Sequence, residues 1–94
     1  MSIFICTYNY APAEEQEKYR PEHRLYLGSL VEQGIIIASG PYVGGETPGA
    51  MLLFNTSSAD EVHQYISQDP MYRGGAVLSY CVREWNPVLG SLGC

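Results

Sequence analysis

The chain has 94 residues, with ten acidic against five basic side chains and a formal charge of −5 at pH 7. This length supports one domain, residues 1–94, around a single core, and the acidic balance argues against nucleic acid, whose backbone calls for a basic face. No apolar run reaches the ~18 residues of a membrane span, and Met1-Ser2-Ile3-Phe4-Ile5-Cys6 lacks the basic start of a secretion signal, so a cytoplasmic protein without membrane contact is expected.

Ser2–Tyr10 is rich in β-branched and aromatic residues and stops at Ala11-Pro12, which predicts a first strand. Glu14–Tyr19 is expected to form a turn or two of helix. The main helix starts near Pro21, whose missing N–H costs nothing in a first turn, and stops at Gly34. Within it His23, Tyr26, Leu27, Leu30 and Val31 follow the i, i+3, i+4, i+7, i+8 spacing of one helix face. An imidazole on that buried face needs a partner or a task. Ile35–Ser39 reads as a short second strand punctuated by Gly40-Pro41, and Gly44–Gly49 as a hairpin connection to a third strand at Ala50–Asn55. Ser58-Ala59-Asp60-Glu61 matches a capping box and opens a second helix with Ala59, Val62 and Ile66 on its apolar face. That helix is expected to break at Asp69-Pro70, because a residue before proline avoids the helical region. After Gly74-Gly75 a final strand covers Ala76–Trp85.

The order βαββαβ predicts an α+β, ferredoxin-like domain: a four-stranded antiparallel sheet with two helices on one face. Ile3–Cys6, Ile35–Ala38 and Met51–Phe54 are apolar without alternation, so both faces of the sheet call for cover. Helices cover one face. A second copy of the sheet is the expected cover for the other, which makes the chain a homodimer or higher homo-oligomer, with the Trp85–Leu89 tail clamping the partner. Burying several hundred Å² at about 25 cal/mol per Å² contributes on the order of 10 kcal/mol before association costs. Cys6, Cys81 and Cys94 show no CxxC spacing; the first two read as small core residues and Cys94 as a tail thiol. No metal-ligand cluster is visible and no cofactor is called for.

Three polar segments exceed what packing requires: Arg20-Pro21-Glu22-His23, Ser39-Gly40-Pro41 and Asp69-Pro70. In a split βαβ fold these element ends can converge at one rim of the sheet. Each also has a structural reading: a histidine satisfied by a backbone carbonyl, a Gly-Pro turn, an Asp-Pro helix stop. Where they meet, Asp69 would orient His23 and stabilise its imidazolium, the carboxylate–imidazole logic of acid–base catalysis. Arg20 suits a substrate carboxylate, or else pairs with Glu17. Tyr8 and Tyr10 are expected to line a pocket and Tyr26 to pack, whereas His63 is read as a half-exposed structural histidine.

Taken together, Arg20-Pro21-x-His23-x-x-Tyr26-Leu27, Ser39-Gly40-Pro41, Asp69-Pro70 and Trp85-Asn86-Pro87-Val88 resemble the YciI-like family of the dimeric α+β barrel group, from Phe4 to Gly90. The resemblance implies a ferredoxin-like subunit, a sheet-to-sheet dimer, and a pocket lined by Ser39, Gly40 and Pro41 with His23 and Asp69 as the acid–base pair. Its wider relatives include dehydrochlorinases and muconolactone isomerase-like proteins, which move protons on small acidic rings. Met71 departs from the pattern, standing where an aromatic is usual, and this bears on the size of the pocket. The expected function is that of a lyase, isomerase or hydrolase acting on a small, aromatic-derived organic acid. His23 would transfer the proton, Asp69 would orient it, and the Ser39 hydroxyl or a nearby backbone N–H would stabilise developing charge. The alternative is a ligand-binding or scaffold domain without catalysis.

Overall fold

A computed structural model describes residues 2–92. The elements are β1 (Ser2–Tyr10), α1 (Ala13–Glu17), α2 (Arg20–Glu32), β2 (Ile36–Pro41), β3 (Gly49–Thr56), α3 (Ala59–Ser67), α4 (Pro70–Arg73) and β4 (Val77–Trp85). All strand pairs are antiparallel and the sheet order is β2-β3-β1-β4, the arrangement expected of a ferredoxin-like α+β domain. Strand alternation sends Phe4, Cys6, Tyr8 and Tyr10 of β1 and Leu52 and Phe54 of β3 to one side, where they join Leu27 and Leu30 of α2 and Val62 and Ile66 of α3 in a single core. Pro21 lies in the first turn of α2. Gly34 adopts φ 78° just past that helix, a conformation open to glycine at no steric cost. At α3 the Ser58 hydroxyl accepts the Glu61 N–H at 3.3 Å.

Several boundaries differ from the sequence reading by a residue or two, and two differences bear on the site. β2 runs on through Gly40 and Pro41, which stand opposite Met51 and Ala50. The strand lies at the edge of the sheet, where a residue without an N–H is tolerated. After Asp69 the chain does not simply leave the helical region. It re-enters it as α4, whose first residue is Pro70.

Among the described residues no helix covers the other face of the sheet, the one away from the core. Register places Ile3, Ile5 and Thr7 beside Asn55, Leu53 and Met51 on one flank and Trp85, Arg83 and Cys81 on the other. Cys81 is therefore exposed rather than a core residue: it pairs with Thr7 on the open side, while Cys6, one position along β1, is buried under the helices. Val88 and Leu89, in the tail beyond β4, are also exposed. Cys94 lies outside the described residues. Among the described residues no helix is long and apolar enough to cross a membrane.

Candidate active site

The N-terminal half of α2 delivers His23 to the rim of the core, and α4 delivers Asp69 to meet it. His23 Nδ1 is 2.7 Å from Asp69 Oδ1, with both residues buried. Asp69 is held in place by its own local structure. As the N-cap of α4 its Oδ1 accepts the Met71 N–H at 3.0 Å, satisfying one of the helix's unpaired donors. Its Oδ2 accepts the Tyr8 hydroxyl at 2.9 Å. Three donors thus converge on one fully buried carboxylate. With donors on both oxygens Asp69 acts as an acceptor only, so Nδ1 of His23 bears the bridging proton. The remaining ring nitrogen, Nε2, has no hydrogen-bond partner among the described residues, and none of their buried side-chain nitrogens or oxygens is left unsatisfied. Nε2 is therefore open to the space beside it.

That space is a cavity of about 370 Å³ between α2, the end of β1 and β2, within the range of small-molecule sites. His23, Arg20, Ser39, Gly40 and Pro41 all line it. The three polar segments of the sequence therefore meet, and Asp69 stands directly behind His23. Tyr8 does not line the cavity. It packs edge-on against Tyr10 and Tyr80 with 1 % of its surface exposed, and its hydroxyl is tied to the carboxylate. Tyr10, two residues further along the same strand face, reaches the cavity in its place. Burial, reinforced by the negative charge of Asp69 and opposed by Arg20, pushes the Tyr10 hydroxyl up to about 12, so it remains a proton-bearing donor. Burial and the Asp69 carboxylate push Tyr8 far above the usual phenol range, which fixes it as a donor too. Cys6 is raised to about 12, chiefly by burial, and is no nucleophile.

Arg20 combines both readings offered by the sequence: it borders the cavity and lies 3.4 Å from Glu17. Met71 forms part of the wall. Tyr26 packs at the core edge and donates its hydroxyl to the Tyr65 carbonyl at 2.6 Å. His63 is exposed, sharing a 2.8 Å hydrogen bond with the Tyr80 hydroxyl, outside the cavity lining. Sequence reasoning missed Gln16, Arg24 and Gly28, which also border the cavity. The spacing 20, 24, 27, 28, 31 along α2 held the signal for the last two. Among the described residues no three His, Cys, Asp or Glu side chains are grouped as metal ligands would be.

The family model described as the YCII-related domain matches residues 1–86. No curated protein matches the chain. Among solved structures, the chain is similar to 5-chloro-2-hydroxyhydroquinone dehydrochlorinase (TftG) from Burkholderia phenoliruptrix AC1100, solved in complex with 2,5-dihydroxybenzoquinone. Identity is 25%, the TM-score is 0.76, and the match covers 89% of this chain and 93% of that one. The fold is also similar to that of At3g17210 from Arabidopsis thaliana, at 17% identity and a TM-score of 0.53 over 98% of this chain and 100% of that one.

Proposed function

This chain belongs to the YCII-related domain family, and from that membership we propose that it is a cytoplasmic, homodimeric enzyme performing acid–base chemistry on a small, ring-derived organic acid. The observation that carries this reading is the buried pair: His23 Nδ1 is tied to Asp69 at 2.7 Å while Nε2 is open to the cavity. In this scheme Nε2 takes a proton from the substrate or returns one, and Asp69 holds the ring and its tautomer. Arg20, the Tyr10 hydroxyl and the Ser39 hydroxyl, all on the cavity wall, are suited to stabilising negative charge as it develops. The similarity to a dehydrochlorinase supports the assignment, because removing the elements of HCl requires a group that accepts a proton. The apolar residues on the sheet face away from the helices, with Ile3, Ile5 and Met51 partly exposed and Trp85 exposed, support the dimer.

The test is a panel of hydroxylated and halogenated ring acids followed by absorbance and by chloride release, with the parent, His23→Gln, Asp69→Asn and His63→Ala. General acid–base catalysis contributes about 10²–10⁴-fold, so His23→Gln should lose at least about a hundredfold while His63→Ala keeps the parent rate. Equal losses from the two histidine variants would refute the assignment. A ring acid bound and recovered unchanged would make the domain a binding module. Light scattering at micromolar concentration should give about twice the 10.4 kDa chain mass.

A further inference from the structure

The nine glycines of the described residues can be sorted by what keeps a side chain away from each. Gly34, Gly44, Gly45, Gly75 and Gly90 have φ from 78° to 96°, a region that L side chains rarely adopt. A Cβ would fall 2.6 Å from the Tyr8 carbonyl at Gly49 and 2.3 Å from the Tyr19 ring at Gly74. Gly40, in β2 opposite Met51, meets neither constraint and also borders the cavity. Gly28 meets neither constraint either, and unlike Gly40 it sits inside a helix. It is the ninth of the thirteen residues of α2, with helical backbone and nothing within 4 Å of a Cβ. Glycine inside a helix is less favourable than alanine, so the fold of this chain gives no cause for it.

Gly28 does border the cavity. It follows Arg24 by one turn and precedes Val31 by three residues, and both of these line the same space. Arg24 has no ion-pair partner among the described residues, whereas Arg20 is engaged by Glu17. A free guanidinium beside a stretch of bare helix wall matches a flat ring with an anionic oxygen: the charge at Arg24 and the ring face over Gly28.

We propose that Gly28 is a specificity-determining position, a gap in the α2 wall that admits a planar, anionic ring whose charged oxygen is held by Arg24; this rests on the reading of the cavity as the reacting site. The experiment titrates 2,5-dihydroxybenzoquinone, a flat acidic ring, into the parent, Gly28→Ala and Arg24→Gln, by calorimetry and by NMR of the His23 ring. Thermal unfolding of each protein without ligand accompanies it. In Gly28→Ala the free protein should melt about 2–8 °C higher, because the substitution relieves a helix-weakening residue. Its affinity for the ring should fall by about tenfold or more, as when one methyl group intrudes into a fitted site. Arg24→Gln should weaken binding without moving the melting temperature. Gly28→Ala binding as tightly as the parent, while His23 still responds to the ring, would overturn the inference and leave the site reading intact. Binding that leaves the His23 resonances unmoved would overturn the site reading and the inference with it. A lower melting temperature or an altered dimerisation constant in Gly28→Ala would assign the glycine to the fold or to an interface. Failure of the parent to bind would refute the ligand class.

Discussion

Tyr8→Phe removes one oxygen atom and leaves the ring in place, and the structure fixes what that atom does. Its hydroxyl donates to Asp69 Oδ2 at 2.9 Å, at a residue with no exposed surface. Without it one carboxylate oxygen is buried with no donor and no access for water. Leaving such a group unsatisfied costs roughly 1–3 kcal/mol, and charge places this case at the upper end, about 2–3 kcal/mol. A domain of this length has on the order of 5–14 kcal/mol in total, so the variant should fold but unfold earlier. At ~4–8 °C per kcal/mol the melting temperature should drop by roughly 8–24 °C. Tyr10→Phe is the matched control. Tyr10 sits on the same strand face, but its hydroxyl has no protein hydrogen-bond partner among the described residues and it borders the cavity, so its loss should cost below about 0.5 kcal/mol. Urea unfolding monitored by circular dichroism, with slopes compared to ensure that the same surface is exposed, measures both. A Tyr8→Phe midpoint indistinguishable from the parent, or equal losses at the two tyrosines, would refute the view that Asp69 depends on Tyr8.

Nitrogen-15 NMR of neutral His23 should find the proton on Nδ1 and a bare Nε2, since Nδ1 is the atom 2.7 Å from the carboxylate; the opposite tautomer would contradict the geometry. At pH 8 Cys6 should resist iodoacetamide, because a thiol raised to about 12 is almost wholly protonated there. Cys81, on the sheet face away from the helices, should react in dilute protein and become protected as concentration rises, provided that face is where two copies meet. Peptide mapping separates the sites, and protection of Cys81 independent of concentration would count against that interface.

The strands were legible because alternation and composition agree: β1 spans Ser2–Tyr10 as read, and β4 starts one residue late at Val77. The Ser58 cap and the Gly34 stop were equally plain, since each has a local stereochemical cause. α4 was missed because four residues are too few to show a period, and Asp-Pro signals the end of one helix as well as the start of another. Pairing of His23 with Asp69, 46 positions apart, is left open by the residues themselves and implied only by the family resemblance; the two side chains share a direct hydrogen bond. The error at Tyr8 has a different origin. Strand parity says which side of the sheet a residue faces, and both Tyr8 and Tyr10 face the helices. It is silent about how far along the strand the covering elements end, and Tyr8 ends on the buried Asp69 carboxylate while Tyr10, two residues on, borders the cavity. Cys81 was misjudged for want of register, because only the pairing with Thr7 reveals its side.

Asp69 serves three masters at once: a helix start, a tyrosine and an imidazole. Loss of the carboxylate would leave the buried Tyr8 hydroxyl and the Met71 N–H without their acceptor, a cost to the fold whatever the site does. His23 is tied by one side-chain hydrogen bond, and without it Asp69 Oδ1 still accepts the Met71 N–H and Oδ2 the Tyr8 hydroxyl. Substitution should therefore be tolerated more readily at the histidine than at the aspartate. A related chain that keeps the aspartate and lacks the histidine is accordingly expected to share the fold without the proposed acid–base role.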